Sequence, residues 1–576
     1  MTVTIDSTTE ARYLCGMDES PRRTILVVDL ENELSEQIML TEVQMRRFAG
    51  GRFLALHLWQ HHRDGNGLDS ASYEAGNPMV FAASPAAELD VKTPPSYVVV
   101  TRNPTTASIS CSVGSSTLGS GILACGYLAV VLIGRMRRLG GVLIDERGAT
   151  FTSAEEYHNR GTIAVARSVQ SEHIVVTGPA GEQYSPYASL YADGENIGPG
   201  GIGMVLGRKN VKYIAFNGEG ARRESGDVKR QSLYNKRAER RIGHSKTAAM
   251  IARHGDLALV KWANTHGWAA IEGWSLRRDG RLWALTDKIA LMPAHITLSH
   301  ALALGPNLGL FEVGSIARLA RRCLDNGLDP VAISALLCWA RESRAEGLLS
   351  FLPDLRHPEV PLYEQMLDSI AYRRGSGGME LAYPLDELVR RHGGAQHAYL
   401  VAKSPIAPFD LRALPATALL TAMGDDTIVY SELLGGNRYR RGNERRLAKE
   451  ARFAQVIRAS AACVGCHHNA LIDFSKRPRL FAKRRCFLLL AAAASLGEAR
   501  TISIADVVEY GRASLDLEAA INEELHGGRT ASLPERMLID GTSNYPKAQV
   551  VPLARLLDAY RSVRVREKQR EPSETR

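Results

Sequence analysis

The stretch "GPGGIGMVLGRKNVKYIA", residues 198–215, places Gly198, Gly200, Gly201 and Gly203 ahead of an apolar turn and a basic, strand-like segment. Glycines at this density let a backbone approach its neighbour with no Cβ in between, and the N–H groups of such a turn suit a phosphate. Plain backbone packing uses glycines in the same way, so both readings stay open here. Around the turn, β-branched runs at 25–30, 97–101, 129–133, 174–177 and 212–216 are bounded by Gly, Pro, Asn or Asp. They predict strands joined by short loops through the first 216 residues.

Beyond residue 216 the pattern changes. Residues 217–246 are rich in Gly and Arg and are expected to form a basic linker or excursion. From 247 onward helical spacing dominates. Ser315 is expected to cap a helix with Ile316, Leu319, Ala320, Cys323 and Leu324 on one face and Gly327 at its end. Asp329-Pro330 then supplies an N-cap and an N1 proline for the next helix, closed by Gly347. The fold class is α+β, a β-rich N-terminal part followed by helices.

A chain of 576 residues has room for two or three cored domains. No apolar run is long enough to span a bilayer, so no membrane partner is expected; 486–496 is expected to be a buried helix. The first residues lack the basic-then-apolar pattern of a secretory leader, and eight cysteines without framework spacing suit a reducing compartment. A cytoplasmic location is the expectation. The net charge of +9 is concentrated. Arg222–Lys246 carries nine Lys/Arg against three acids, Arg438–Arg452 seven against two, and Lys476–Arg485 six against none. With few aromatics among them for base stacking, these runs read as solvated faces, and a nucleic-acid partner is not expected.

Residues 177–216, TGPAGEQYSPYASLYADGENIGPGGIGMVLGRKNVKYIAF, resemble the aldehyde ferredoxin oxidoreductase family, as do FAGGRFLALHL (48–58), NPMVFAASP (77–85) and ALALGPNLG (301–309). CLDNGLDPVAIS (323–334), APFDLR (407–412), SLPERML (532–538) and PLARLLDAY (552–560) follow in the family's order. The resemblance implies a β-rich cofactor-type domain over 1–216, helical domains over 247–405 and 406–565, and a frayed basic tail over 566–576. It further implies a tungstopterin or molybdopterin centre that oxidises an aldehyde, and a [4Fe–4S] cluster that passes electrons to ferredoxin. Carried over residue by residue, the cofactor-binding positions are Arg52, Gly198, Gly200, Gly201, Gly203, Lys209, Asn210, Leu328 and Asp329.

Several family positions differ. The cluster's first three cysteines have no counterpart in 282–309, which leaves Cys463 alone at the fourth position. One thiolate cannot hold a cluster that normally needs four, so neither an ordinary [4Fe–4S] centre nor a ferredoxin partner is expected. The family's glutamate is Ser299 here, and its histidine falls near Tyr430; His295 and His300 are the candidate replacements. Pro94-Pro95-Ser96-Tyr97 stands for G-G-R-Y, Val113-Gly114-Ser115-Ser116 for N-S-G-G, and Pro199 for the arginine of G-R-G-G. Each change removes a donor or a close-packing glycine.

Cys463-Val464-Gly465-Cys466-His467-His468 sets two thiols and an imidazole at a spacing that suits Zn²⁺ or another soft metal, with Cys463, Cys466 and His467 as the candidate ligands; ordinary cysteines at a helix end are the alternative reading. The basic runs nearby would lower their thiol pKa values. Two functional expectations follow. One is a divergent oxidoreductase acting on an aldehyde or oxo-type small molecule, with non-standard or missing iron–sulfur electron transfer. The other is a cofactor-free protein of the same fold, working as a non-redox enzyme or a binding subunit. The catalytic residues and the oligomeric state, a homo-oligomer included, stay open.

Overall fold

A computed structural model describes residues 23–63, 76–88, 96–220, 228–243, 254–274, 285, 288, 292, 296–357, 359–426, 442–465, 481–497, 500–526, 530–540 and 550–569. Within the first 216 residues, the described strands form two mixed six-stranded sheets. In the first, β1 (Thr24–Asp29), β2 (Leu34–Met39), β3 (Met79–Ala82), β4 (Tyr97–Arg102), β5 (Ile109–Gly114) and β6 (Tyr127–Ile133) lie in the order β2-β1-β6-β3-β4-β5. Only β1 and β6 run parallel. Central strands such as YLAVVLI are covered on both faces, which explains their unbroken apolar sequence. The helix Gly51–His62 lies across β3 and β4.

The second sheet comprises β7 (Gly140–Asp145), β8 (Gly148–Ser153), β9 (His173–Thr177), β10 (Leu190–Ala192), β11 (Glu195–Ile197) and β12 (Val211–Phe216), in the order β11-β10-β9-β12-β7-β8. All five runs expected as strands are strands, to within two residues at each end.

The helical portion does not pack as an appendage. One core combines the strands of both sheets with Ile457, Leu490, Val507 and Ile521 from helices late in the chain. A second core joins Leu257 through Leu414 to Ala180, Tyr187 and Met204. A third draws on Trp274, Tyr399, Leu419, Ala451 and Leu556. Apolar packing therefore crosses the division of the helical half at 405.

Three local expectations change. The helix assigned to a Ser315 cap begins two residues earlier, as Val313–Asn326 with Glu312 at its N-cap, and Ser315 lies within its first turn. The helix is fixed there by burial of its apolar stripe and by its Gly327 C-cap (φ +66°), and not by a side-chain cap. The basic 217–246 segment contains a helix, Val228–Gly243, anchored by buried Tyr234 in the first core. The tail begins later than expected, because the helix Leu553–Lys568 continues past 565. Asp329 does cap Pro330–Ala345, accepting from Val331 N at 3.0 Å, with Pro330 in the first turn.

Candidate functional site

Strand β5 is an edge strand, and beside it the chain leaves a cavity of about 390 Å³. Its wall includes Ile109 and Cys111 from β5, Pro199 from the glycine turn, and Asp425 and Asp426 after the helix Pro415–Ala422. The helices Glu444–Val464, Ile504–His526 and Leu553–Lys568 close the far side. Segments more than 400 residues apart therefore share one cleft.

Arg52 reaches this cleft because of the two residues before it. Gly50 has φ +131° and Gly51 φ +46°, and a Cβ on Gly51 would stand 2.1 Å from the Ala462 carbonyl oxygen. Only glycines let the start of this helix abut the end of the 444–464 helix. The Arg52 guanidinium pairs with the Glu518 carboxylate.

Charge alternates around the rest of the wall. Arg458 forms a two-point pair with Asp426, at 2.6 and 3.2 Å. Arg564 donates to Asp516 at 2.6 Å, and Gln455 donates to Asp425 at 2.7 Å while accepting from the Tyr560 hydroxyl. Arg452 Nε donates to Glu567 at 2.8 Å, and its buried Nη2 has no hydrogen-bond partner. Burial pushes the Glu518 carboxyl above the usual carboxylate range, against the opposing pull of Arg52. Asp425, Asp426 and Glu518 escaped sequence reading because the packing of distant helices, and no local motif, brings them together.

The residues expected to cradle a phosphate are engaged within the chain. Lys209, fully buried, donates from Nζ to Gly134 O at 2.8 Å, and Asn210 Nδ2 donates to Met136 O at 2.7 Å. Gly200 N donates to Asp329 Oδ2 at 2.8 Å, and the N–H groups of Gly201 and Gly203 both reach Ala188 O. Leu328 O accepts from Asn196 Nδ2 at 2.8 Å. The glycines answer to backbone crowding. A Cβ on Gly203 would meet Ser189 O at 2.3 Å, and one on Gly201, at φ +102°, would meet Asn103 Oδ1 at 2.4 Å. Gly198 sits against the Asp329 carboxylate. Arg52 is thus the one member of the set that lines the cavity. Lys209, Asn210 and the N–H groups of Gly200, Gly201 and Gly203 thus already have acceptors within the chain, whereas Arg52 keeps a buried Nε with no hydrogen-bond partner at the cavity wall.

Cys463 lies at the end of the 444–464 helix, fully buried beneath the Tyr510 carbonyl. Its thiol is pushed up to about 11 by burial, which Arg52 opposes. The expected lowering by nearby basic residues is overturned at Cys463 because desolvation penalises the thiolate more strongly. Cys466, His467, His295 and Tyr430 lie outside the described residues. Among the described residues no three His, Cys, Asp or Glu side chains are placed to hold a metal ion. Ser299 and His300 sit in the first turn of the helix Leu298–Leu304, capped by Thr297 Oγ1. No described helix is long and apolar enough to cross a membrane.

The comparisons with known proteins agree with this layout. The profile for the aldehyde ferredoxin oxidoreductase N-terminal domain matches residues 25–218, and that for its domains 2 and 3 matches 286–569. A tungsten-containing aldehyde ferredoxin oxidoreductase of Pyrococcus furiosus is 23% identical over 406 residues, 64% of this chain and 66% of the relative. The enzyme of the same name from Pyrococcus horikoshii is 21% identical over 67% of this chain and 70% of its own. This chain thus spans about two thirds of these relatives. Among solved structures, the active site complex BamBC of benzoyl coenzyme A reductase, with bound 1,5-dienoyl-CoA, superposes with a TM-score of 0.78. It covers 94% of each chain at 15% identity, and so shares the fold. With both profiles matched in order across most of its length, the chain belongs to the aldehyde ferredoxin oxidoreductase family.

Proposed function

We propose that this chain is an oxidoreductase of the aldehyde ferredoxin oxidoreductase type whose remodelled cleft takes a small aldehyde or other oxo compound. In this reading its electrons leave by a route other than the family's iron–sulfur cluster. The carrying observation is the 390 Å³ cavity, within the range of about 300–1,000 Å³ usual for small-molecule sites. Its paired guanidinium and carboxylate groups suit a polar guest that offers a carbonyl oxygen. The Arg458 and Arg564 fork donors would orient that oxygen, and Glu518, a carboxyl held above its ordinary range at the cavity wall, would hold or deliver a proton.

The commitment of Lys209, Asn210, Asp329 and the glycine N–H groups within the chain favours a second reading. Here the fold works without a cofactor, as a non-redox enzyme or a binding subunit at the same cleft. Elemental analysis of protein purified without air, for W, Mo, Fe and Zn, together with its visible spectrum, separates the two. Stoichiometric W or Mo is the expected result for the first reading. Well-folded, colourless and metal-free protein rejects it in favour of the second, and stoichiometric Zn alone points to Cys463, Cys466 and His467.

A further inference from the structure

Behind the cleft wall, the described part of the basic run, 442–452, packs beside the helix Leu553–Lys568. Arg445 and Lys449, one helical turn apart on the 444–464 helix, line a second cavity of about 260 Å³ with Arg512, Val563, Arg566 and Glu567. Three helices contribute four cations to a space with one carboxylate on its wall. That carboxylate is already shared: Glu567 accepts from Arg512 at 2.8 Å, Arg452 at 2.8 Å and Arg564 at 3.2 Å. No described carboxylate lies within ion-pair distance of Arg445, Lys449 or Arg566.

Like charges gathered around a concave wall repel one another, and an anion between them removes that cost. Guanidinium forks match the oxygen geometry of a phosphoryl group, and a flexible lysine adds a point charge. The cavity is smaller than the usual small-molecule site, so it suits a compact dianion and not a long polyanion. We infer that this pocket is a binding site for the phosphoryl group of a small phosphorylated molecule or for free phosphate, held by Arg445, Lys449, Arg512 and Arg566. The site is independent of the reading given to the cleft.

The test uses the full chain, with inorganic phosphate and pyrophosphate titrated by calorimetry against NaCl of matched ionic strength. The variants are Lys449→Gln and Arg566→Gln, both exposed and without an ion-pair partner among the described residues, with Arg561→Gln on the exposed side of the 553–568 helix as a control. The expected result is saturable binding by the wild type and the control, weakened at least tenfold in each pocket variant. Tighter binding of pyrophosphate than of phosphate would assign the site to a phosphorylated molecule; equal binding would assign it to the free ion. No saturable binding, or equal affinity in all four proteins, overturns the inference. So does binding of a single-stranded oligonucleotide that phosphate cannot displace, which would make the surface a nucleic-acid contact.

Discussion

Gly51 and Glu518 show what one position can decide in this chain. An alanine at 51 would force its Cβ to 2.1 Å from a backbone oxygen at a φ of +46°, and neither helix end can move without disturbing the first core. Gly51→Ala should cost roughly 1–3 kcal/mol of stability, read as a lower urea midpoint. Glu518→Gln keeps the shape of the cleft wall and removes a titratable carboxyl. Turnover of whichever oxo substrate is found should fall by roughly 10²–10⁴-fold if Glu518 moves a proton, with metal content unchanged. An unaltered pH–rate profile would remove it from that role. The need for glycine was legible in the turn at 198–203, because such density is rarely accidental. Its use was not legible, because the partners Ser189, Asn103 and Ala188 are set by tertiary packing.

Helix ends carry the next level of organisation. Asp329 caps the 330–345 helix and also accepts from Gly200 N, so one carboxylate fixes both the helix start and the glycine turn. Asp329→Asn keeps one oxygen for the cap but turns an amide –NH2 toward the second N–H, so it should cost about 1–3 kcal/mol for the one stranded donor. Asp329→Ala should cost about 1 kcal/mol for the cap and a further 1–3 kcal/mol for the stranded Gly200 N–H, measured by urea unfolding. This cap was readable from Asp-Pro because its geometry is local. The start of 313–326 was not, because tertiary burial places it ahead of Ser315.

The 330–345 helix also carries a pH-dependent tie at its other end. His397 Nδ1 lies 2.6 Å from Glu342 and its Nε2 2.9 Å from Glu346. The Glu342 carboxylate raises the imidazole above its ordinary value, with burial opposing and Glu346 adding. A raised folded value means that the stabilisation is full below the ordinary histidine value of about 6.5 and fades as pH climbs through the folded one. The stability difference between wild type and His397→Gln should therefore shrink as pH rises from 5 to 9; a constant difference would show that the tie does not titrate.

On the scale of the whole molecule, the first core is completed by helices from the last third of the chain. Ile457, Leu490, Val507 and Ile521 pack with strands that end by residue 216. A fragment holding residues 1–220 should therefore lack near-UV circular dichroism and bind a hydrophobic dye, whereas the full chain should not. A dye-free fragment with fixed aromatic signals would show that the sheets close on their own. The order of β-rich and helical parts was legible, because period-two and helical spacing are local signals. The sharing of cores was not, because nothing in an apolar helix stripe names the surface it will meet. The Gly51–Ala462 crossing has a further consequence, one of time. The ribosome adds roughly 5–20 residues per second, so the N-terminal strands emerge tens of seconds before the helices that cover them. For that interval their apolar faces lack the helices that cover them, and the yield of folded protein should rise when chaperones are co-expressed.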